Sequence, residues 1–305
     1  MQFILRQPYS FSQLGKRANQ EDARFPDEDA PRGCHAAFVV CDGVGGQERG
    51  EVASRVVADT IGRAMRDFDP AKPFTAPDFE QVLAKVYREI DVASQHAKLE
   101  MATTLTFLCF HSGGAFIAHI GDSRIYHVRP SVGIMHQTDD HSLVNALVHS
   151  GNITPEEAIN HPQSNIITRC IRPSKSGQTD TADTLQIRDI EPGDYFFLCS
   201  DGVLHQLPDE RLFAILSADT PDREKIETIA ALSADSSDNN TAYLIGVDDV
   251  VYDPEETGTS GAGDTAPDDS ATTPIGVPND EIIRAEAARK QSLGENISNF
   301  FKKLF

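Results

Sequence analysis

The chain has 305 residues, of which 39% are hydrophobic, with 16 Phe and no Trp. That is enough apolar side chain for a sizeable core and too much for disorder throughout. Lys plus Arg number 27 against 47 Asp plus Glu, a net charge of −20, so non-specific binding to nucleic acid or anionic lipid is disfavoured for the chain as a whole, while binding of cations is favoured wherever carboxylates converge.

In chain order, short apolar runs bounded by Gly, Asp or Ser predict strands over residues 36–41, 105–110, 115–120, 125–128, 195–199 and 242–247. Ala53, Val56, Val57, Ile61 and Ala64 fall at helical spacing within 50–68, and Phe79, Val82, Leu83, Val86, Tyr87 and Ile90 predict a second helix begun by Pro77 and Asp78. Residues 209–217 and 221–234 supply a later helical pair. Between 140 and 169 a polar stretch interrupts the strands, with Thr154 and Glu157 spaced as a helix cap, and reads as a surface excursion that shapes substrate access. The order of helices and strand clusters points to sheets between helical layers, not to a regular βαβ repeat.

Past Asp248 the composition changes. Residues 251–281 carry eight acids and no bases and are rich in Gly, Ser, Thr and Pro, which predicts a disordered acidic linker. Residues 282–305 carry five bases and two acids, with Leu293, Ile297, Phe300, Phe301 and Leu304 on one helical face. An amphipathic helix of that kind suits docking on a protein partner; an anionic membrane surface is opposed by the acidic remainder of the chain. Cys34, Cys41, Cys109, Cys170 and Cys199 form no CxxC pair, and most lie in apolar runs, as reduced buried thiols do. No apolar run reaches about 18 residues, and residues 1–15 lack a secretory pattern, so the expected location is the cytoplasm.

An Asp beside an apolar strand recurs four times, at Asp42-Gly43, Asp122, Asp201-Gly202 and Asp238. Singly, each is a turn residue. If the strand ends meet in space, the carboxylates repel and call for bound cations, and all-oxygen donors select Mg²⁺ or Mn²⁺ over softer metals. The ten His show no ligand spacing; His119 and His127 read as packing residues. Near the N-terminus, Arg17 precedes Glu21-Asp22 by four residues, an arrangement suited to a phosphate oxygen beside metal-bound water.

Arg17-x-x-x-Glu21-Asp22, Asp42-Gly43 with Gly45-Gly46, Gly121-Asp122-Ser123-Arg124, Asp140-His141-Ser142, Ser200-Asp201-Gly202 and Asp238-Asn239-x-Thr241 occur in this order. Together they resemble the motif series of the metal-dependent serine/threonine phosphatases of the protein phosphatase 2C type, over roughly residues 9–248. His161-Pro162 and Asn165-Ile-Ile-Thr168-Arg169 are similar to the segment after the flap in bacterial members. The resemblance implies an α+β fold, a four-layer α/β/β/α sandwich of two antiparallel sheets flanked by helices, in a catalytic domain over 1–250. It implies that Asp42 bridges two metal ions, with the Gly43 carbonyl on one, and that Asp201 and Asp238 complete the protein ligands of the other. Glu21 and Asp22 then act mostly through metal-bound waters, Arg17 holds the phosphate, and Asp122 with Asp201 resembles a third, weaker metal site.

The implied reaction is hydrolysis of phosphoserine and phosphothreonine by a dimetal-bridging hydroxide, opposing a Ser/Thr kinase. One departure stands out: Val44 occupies the place of a His that many eukaryotic members carry and that is proposed as general acid there. Two other readings are a phosphoprotein-binding scaffold on the same fold and a hydrolase of small phosphoesters.

Overall fold

The computed structural model describes residues 1–31, 35–44, 50–97, 101–159, 161–174 and 177–252. The expected linker from 253 onward, the helix expected over 282–305, and Gly45-Gly46 lie outside the described residues. All described residues belong to one compact unit, Met1–Thr257.

The chain opens with β1 (Gln2–Leu5), β2 (Tyr9–Gln13), β3 (Ala23–Phe25), β4 (Ala37–Cys41) and the short β5 (Gly43–Val44), followed by helices α1 (Gly50–Met65) and α2 (Ala76–Ala97). Then come β6 (Ala102–Thr103), β7 (Leu105–His111), β8 (Gly114–Ile120), β9 (Arg124–Arg129) and β10 (Gly133–Gln137). The excursion holds α3 (Leu143–His149) and α4 (Pro155–Ile159), and the chain continues through β11 (Asp183–Ile187), β12 (Tyr195–Cys199), α5 (Asp201–Leu204), α6 (Asp209–Ser217), α7 (Asp222–Ser233) and β13 (Asn240–Val251).

One sheet runs β1-β13-β12-β9-β10, with β2 also on β13; the other runs β11-β8-β7-β4-β3. Every pairing in them is antiparallel. The strands expected from the sequence are continuous apolar runs because both of their faces are covered. In β4, Phe38 and Val40 face the opposite sheet, packing with Phe196, Leu198, Tyr243 and Ile245, while Ala37, Val39 and Cys41 face α1 and α2. In β12, Phe197 and Cys199 pack on the other side against Leu212, Leu216, Ile226 and Ile229 of α6 and α7. Three apolar layers therefore separate four structural ones, the expected α/β/β/α sandwich.

Capping follows local chemistry. Thr75 donates its backbone N–H and its hydroxyl to Asp78 at 2.9 and 2.6 Å, which fixes the start of α2 ahead of Pro77. At α4 the Thr154 and Glu157 pair forms a reciprocal cap, with N–H···O distances of 2.8 and 3.2 Å.

Antiparallel register decides where the site forms. Ala23 pairs with Cys41, Cys199 with both Ala242 and Arg124, and Leu105 with Ile120. The start of β3, the end of β4, the end of β8, the end of β12 and the start of β13 therefore share one end of the two sheets, and each carries one of the motif acids.

Candidate active site

Asp22, Asp42, Asp122, Asp201 and Asp238 come together at that end of the sandwich. Asp42 feels the charges of Asp22, Asp201 and Asp122, and its carboxyl lies within hydrogen-bonding reach of Asp201. Asp22 and Asp201 both feel Asp238. Burial is the main reason that these carboxyls hold protons tightly, and mutual repulsion adds to it. Asp22 and Asp122 are each pushed up to about 7, Asp42 is raised well above the usual carboxylate range, and Asp201 is raised as well. Asp42 and Asp201 lie close enough to share a hydrogen bond, and the closeness of two carboxyls there is part of why both hold protons more tightly than usual.

Each acid has a fixed support. The Asp42 N–H donates to Thr104 Oγ1 at 2.9 Å, and its carbonyl accepts from the Thr104 N–H and the Thr103 hydroxyl, both at 2.8 Å. Ser200 Oγ donates to Asp22 at 2.8 Å and accepts from the Thr241 N–H at 3.0 Å. Asn239 accepts from the Glu21 N–H at 2.8 Å and donates to the Leu14 and Asn19 carbonyls. Thr103 and Thr104 carry no signal in the sequence; Ser200, Asn239 and Thr241 lie inside the motif strings, where only their neighbours suggest a role. Arg124 and Asp140, both motif residues, form a bidentate pair at 2.7 and 2.8 Å that secures the turn after Asp122.

Arg17 stands at the rim. Its half-exposed guanidinium donates to Asp238 at 2.6 Å. Glu21, beside it, is raised by burial, with Arg17 opposing. Gly43 packs backbone to backbone against Gly50, so β5 meets the start of α1 where a Cβ on either residue would collide. Gly15 lies in the left-handed region, at φ +56°, with no room for a Cβ beside the Asp238 carbonyl. Gly15→Ala is expected to cost about 2 kcal/mol or more from backbone strain alone. It should also loosen the Arg17 loop, and thermal unfolding of the purified chain would read the loss. An unchanged midpoint would show that the loop is not fixed there.

The donors fit hard divalent cations. Asp22 Oδ1, Asp122 Oδ1 and Asp201 Oδ1 are buried and make no hydrogen bond, and unpaired buried carboxylate oxygens are costly unless a cation neutralises them. Asp22 and Asp122 both feel the charge of Asp201, and all the donors are oxygen, as Mg²⁺ and Mn²⁺ require. His119 and His127 serve packing and hydrogen bonding. His119 stacks on His141 and meets the Asp139 carbonyl at 2.8 Å; His127 stacks on Phe196 and bonds Asp194 at 2.8 Å.

Comparison with known proteins identifies the family. The sequence model of the family described as Protein phosphatase 2C matches residues 14–232. The protein phosphatase PhpP of Streptococcus pneumoniae is 33% identical over 242 residues, covering 77% of this chain and 94% of that protein. The crystal structure of the serine/threonine phosphatase Stp1 from Staphylococcus aureus superposes with a TM-score of 0.69 at 28% identity, covering 81% of this chain and 98% of that one. The catalytic domain of the phosphatase PstP, solved in complex with two manganese ions, superposes with a TM-score of 0.66 at 27% identity, covering 81% and 100%. A matching sequence model over most of the sandwich, together with a relative aligned along nearly its whole length, places the chain in the protein phosphatase 2C family.

Proposed function

We propose that this chain, a protein-serine/threonine phosphatase by family, hydrolyses phosphoserine and phosphothreonine at the acidic pocket and depends on Mg²⁺ or Mn²⁺ held there. In this reading Asp42, the Gly43 carbonyl, Asp201 and Asp238 hold two core ions. Glu21 and Asp22 support them through water, and Asp122 with Asp201 offers a weaker third position. The observation that carries the reading is the set of three unpartnered, buried carboxylate oxygens on Asp22, Asp122 and Asp201. When bound, such ions supply the positive charge that offsets the phosphate dianion and the activation of the attacking water.

The protein's own groups then divide the work. Thr104, Ser200 and Asn239 hold the acidic segments so that little reorganisation is needed at the moment of reaction. Arg17 pairs with Asp238 at the rim, where its planar guanidinium can also reach phosphate oxygens in a fork. Arg17→Ala is expected to raise the KM for a phosphothreonine peptide about tenfold with a smaller change in kcat. An unchanged KM would remove Arg17 from phosphate binding. With Val44 after Asp42-Gly43, no imidazole is available at that position to protonate the leaving alkoxide.

Among the described residues no helix is long and apolar enough to cross a membrane, and the reading places the enzyme in the cytoplasm. Its substrates are phosphoproteins, a Ser/Thr kinase and that kinase's targets among them. The catalytic domain is assigned to residues 1–250 and the connecting linker to 251–281. The basic, amphipathic sequence of 282–305 is assigned to docking on a protein partner.

The test is phosphate release from a panel of phosphothreonine, phosphoserine and phosphotyrosine peptides, by the full chain, with Mn²⁺ and with a chelator. Release from the first two that vanishes on chelation is expected. Release that survives chelation would remove the metal assignment, and peptide binding without release would make the chain a scaffold.

A further inference from the structure

His141 lies outside the set of acids just assigned, yet it makes more connections across this end of the molecule than its motif neighbours do. It is buried, and both ring nitrogens are engaged. The Gly121 N–H donates to His141 Nδ1 at 3.1 Å, and the His141 N–H donates back to the Gly121 carbonyl at 2.9 Å. With Nδ1 accepting, the ring proton sits on Nε2, which faces Asp183 Oδ2 at 3.1 Å. The same Asp183 carboxylate accepts from Arg169 Nη1 at 2.6 Å. His119, the cross-strand partner of Asp183, stacks on the imidazole with ring centroids 4.4 Å apart.

These contacts link three places. Gly121 precedes Asp122, whose backbone therefore starts from a point that His141 fixes. His141 begins the excursion, and its carbonyl accepts from the Thr168 N–H at 2.8 Å where the excursion ends. The next residue, Arg169, returns to Asp183. A second tie, Leu143 N–H to the Ile166 carbonyl at 2.8 Å, closes the neck just above. The imidazole thus ties the start of the excursion to the Asp122 turn and to Asp183, the Asp183 carboxylate ties in Arg169 at its end, and backbone bonds close the neck between them. Burying an imidazole with both nitrogens satisfied in a single tautomer fixes its orientation, because any rotation leaves a buried polar group unpaired.

We propose that His141 and Asp183 are positioning residues that clasp the 142–168 excursion to the turn presenting Asp122, so that the excursion's contribution to phosphopeptide selection depends on this pair. The proposal rests on the phosphatase reading for its kinetic consequence only; the clasp itself stands on the contacts described above.

Two isosteric substitutions separate the two halves of the imidazole. His141→Asn keeps an acceptor near the position of Nδ1 and loses the reach to Asp183. His141→Gln keeps a group near the position of Nε2 and loses the acceptor for Gly121. Asp183→Ala removes the outer link from a half-exposed position, where loss of the whole fold is not expected.

Amide hydrogen exchange of the metal-free full chain reads the inner link. Protection of the Gly121 N–H should fall about tenfold or more in His141→Gln and stay near wild type in Asp183→Ala. Kinetics with Mn²⁺ read the outer link: in Asp183→Ala and His141→Asn the ratio of kcat/KM for a phosphothreonine peptide to that for a small aryl phosphate should fall about fivefold. Equal Gly121 protection in wild type and His141→Gln would overturn the proposal, as would an equal loss on both substrates in Asp183→Ala. If the wild-type chain hydrolyses neither substrate, the phosphatase reading falls, and the exchange comparison alone decides the clasp.

Discussion

Asp201→Asn is expected to lower Mn²⁺-dependent turnover of a phosphothreonine peptide by about 10³-fold, at saturating metal and with little change in side-chain volume. It is also expected to raise the thermal midpoint of the metal-free protein. The two effects have one cause. Asp201 is partly buried beside Asp42, feels Asp238, and has one buried oxygen with no partner, so its negative charge is costly until a cation arrives. An amide at this position removes the repulsion and can still hydrogen-bond to Asp42. The gain in the metal-free state should be about 1 kcal/mol, the usual size when a destabilised functional group is neutralised, or roughly 3 °C for a unit of this size. A purely structural aspartate would give the opposite pattern, with lost stability and retained turnover. Equal turnover of mutant and wild type across a full Mn²⁺ titration would remove Asp201 from the metal site.

The sequence carries the layers of this fold better than it carries the edges. β4, β7, β8 and β12 read clearly because both of their faces are buried, which leaves runs such as Phe38-Val39-Val40-Cys41 with no polar interruption. β11 escapes such a reading. It is an edge strand, Asp-Thr-Leu-Gln-Ile, exposed over its first three residues, and its pairing with β8 is tertiary. β1, β2 and β3 are short and mixed in polarity, and β13 extends past the expected 247 to Val251 because β1 returns to pair with its far half. The acids of the site are visible as strand-end residues, but nothing in periodicity says that four such ends coincide. Antiparallel register does, and register is set by contacts far apart in sequence. The motif order carried that information only through its likeness to a known family. Thr103 and Thr104, which hold the Asp42 backbone, have no local pattern at all, since a buried Thr in a strand is ordinarily a packing residue. Arg17 stands at the rim of the acidic pocket, but its partner there, Asp238, is 221 residues away.

The second large effect is a change in how stability depends on pH when metal is removed. Asp22 and Asp122 titrate near pH 7 in the folded, metal-free chain, against about 4 for an ordinary Asp in an unfolded chain. Asp42 and Asp201 are shifted in the same direction. Between pH 4 and 7 the folded state therefore binds more protons than the unfolded one. The stability that these groups contribute is complete below pH 4 and is lost as pH rises through 7, by up to about 4 kcal/mol for a group shifted by some three units. His111, His119, His136 and His141 are shifted down by burial and act in the other direction, contributing stability that is lost as pH falls below about 6.5. Asp27, Asp183 and Asp194 are shifted down as well, and what they contribute is lost only as pH falls below about 4. Groups that neither bind nor touch the metal weigh equally with and without it, so the gap between Mn²⁺-loaded and chelated protein reads the groups that do. That gap in unfolding midpoint should widen steadily from pH 5.5 to 8, because a cation takes over the neutralisation that protons provide at low pH and competes with them for the same oxygens. Calorimetry at fixed free Mn²⁺ and fixed ionic strength measures it directly. A gap of constant size across that range would mean that the carboxyls of Asp22, Asp42, Asp122 and Asp201 do not exchange protons for metal.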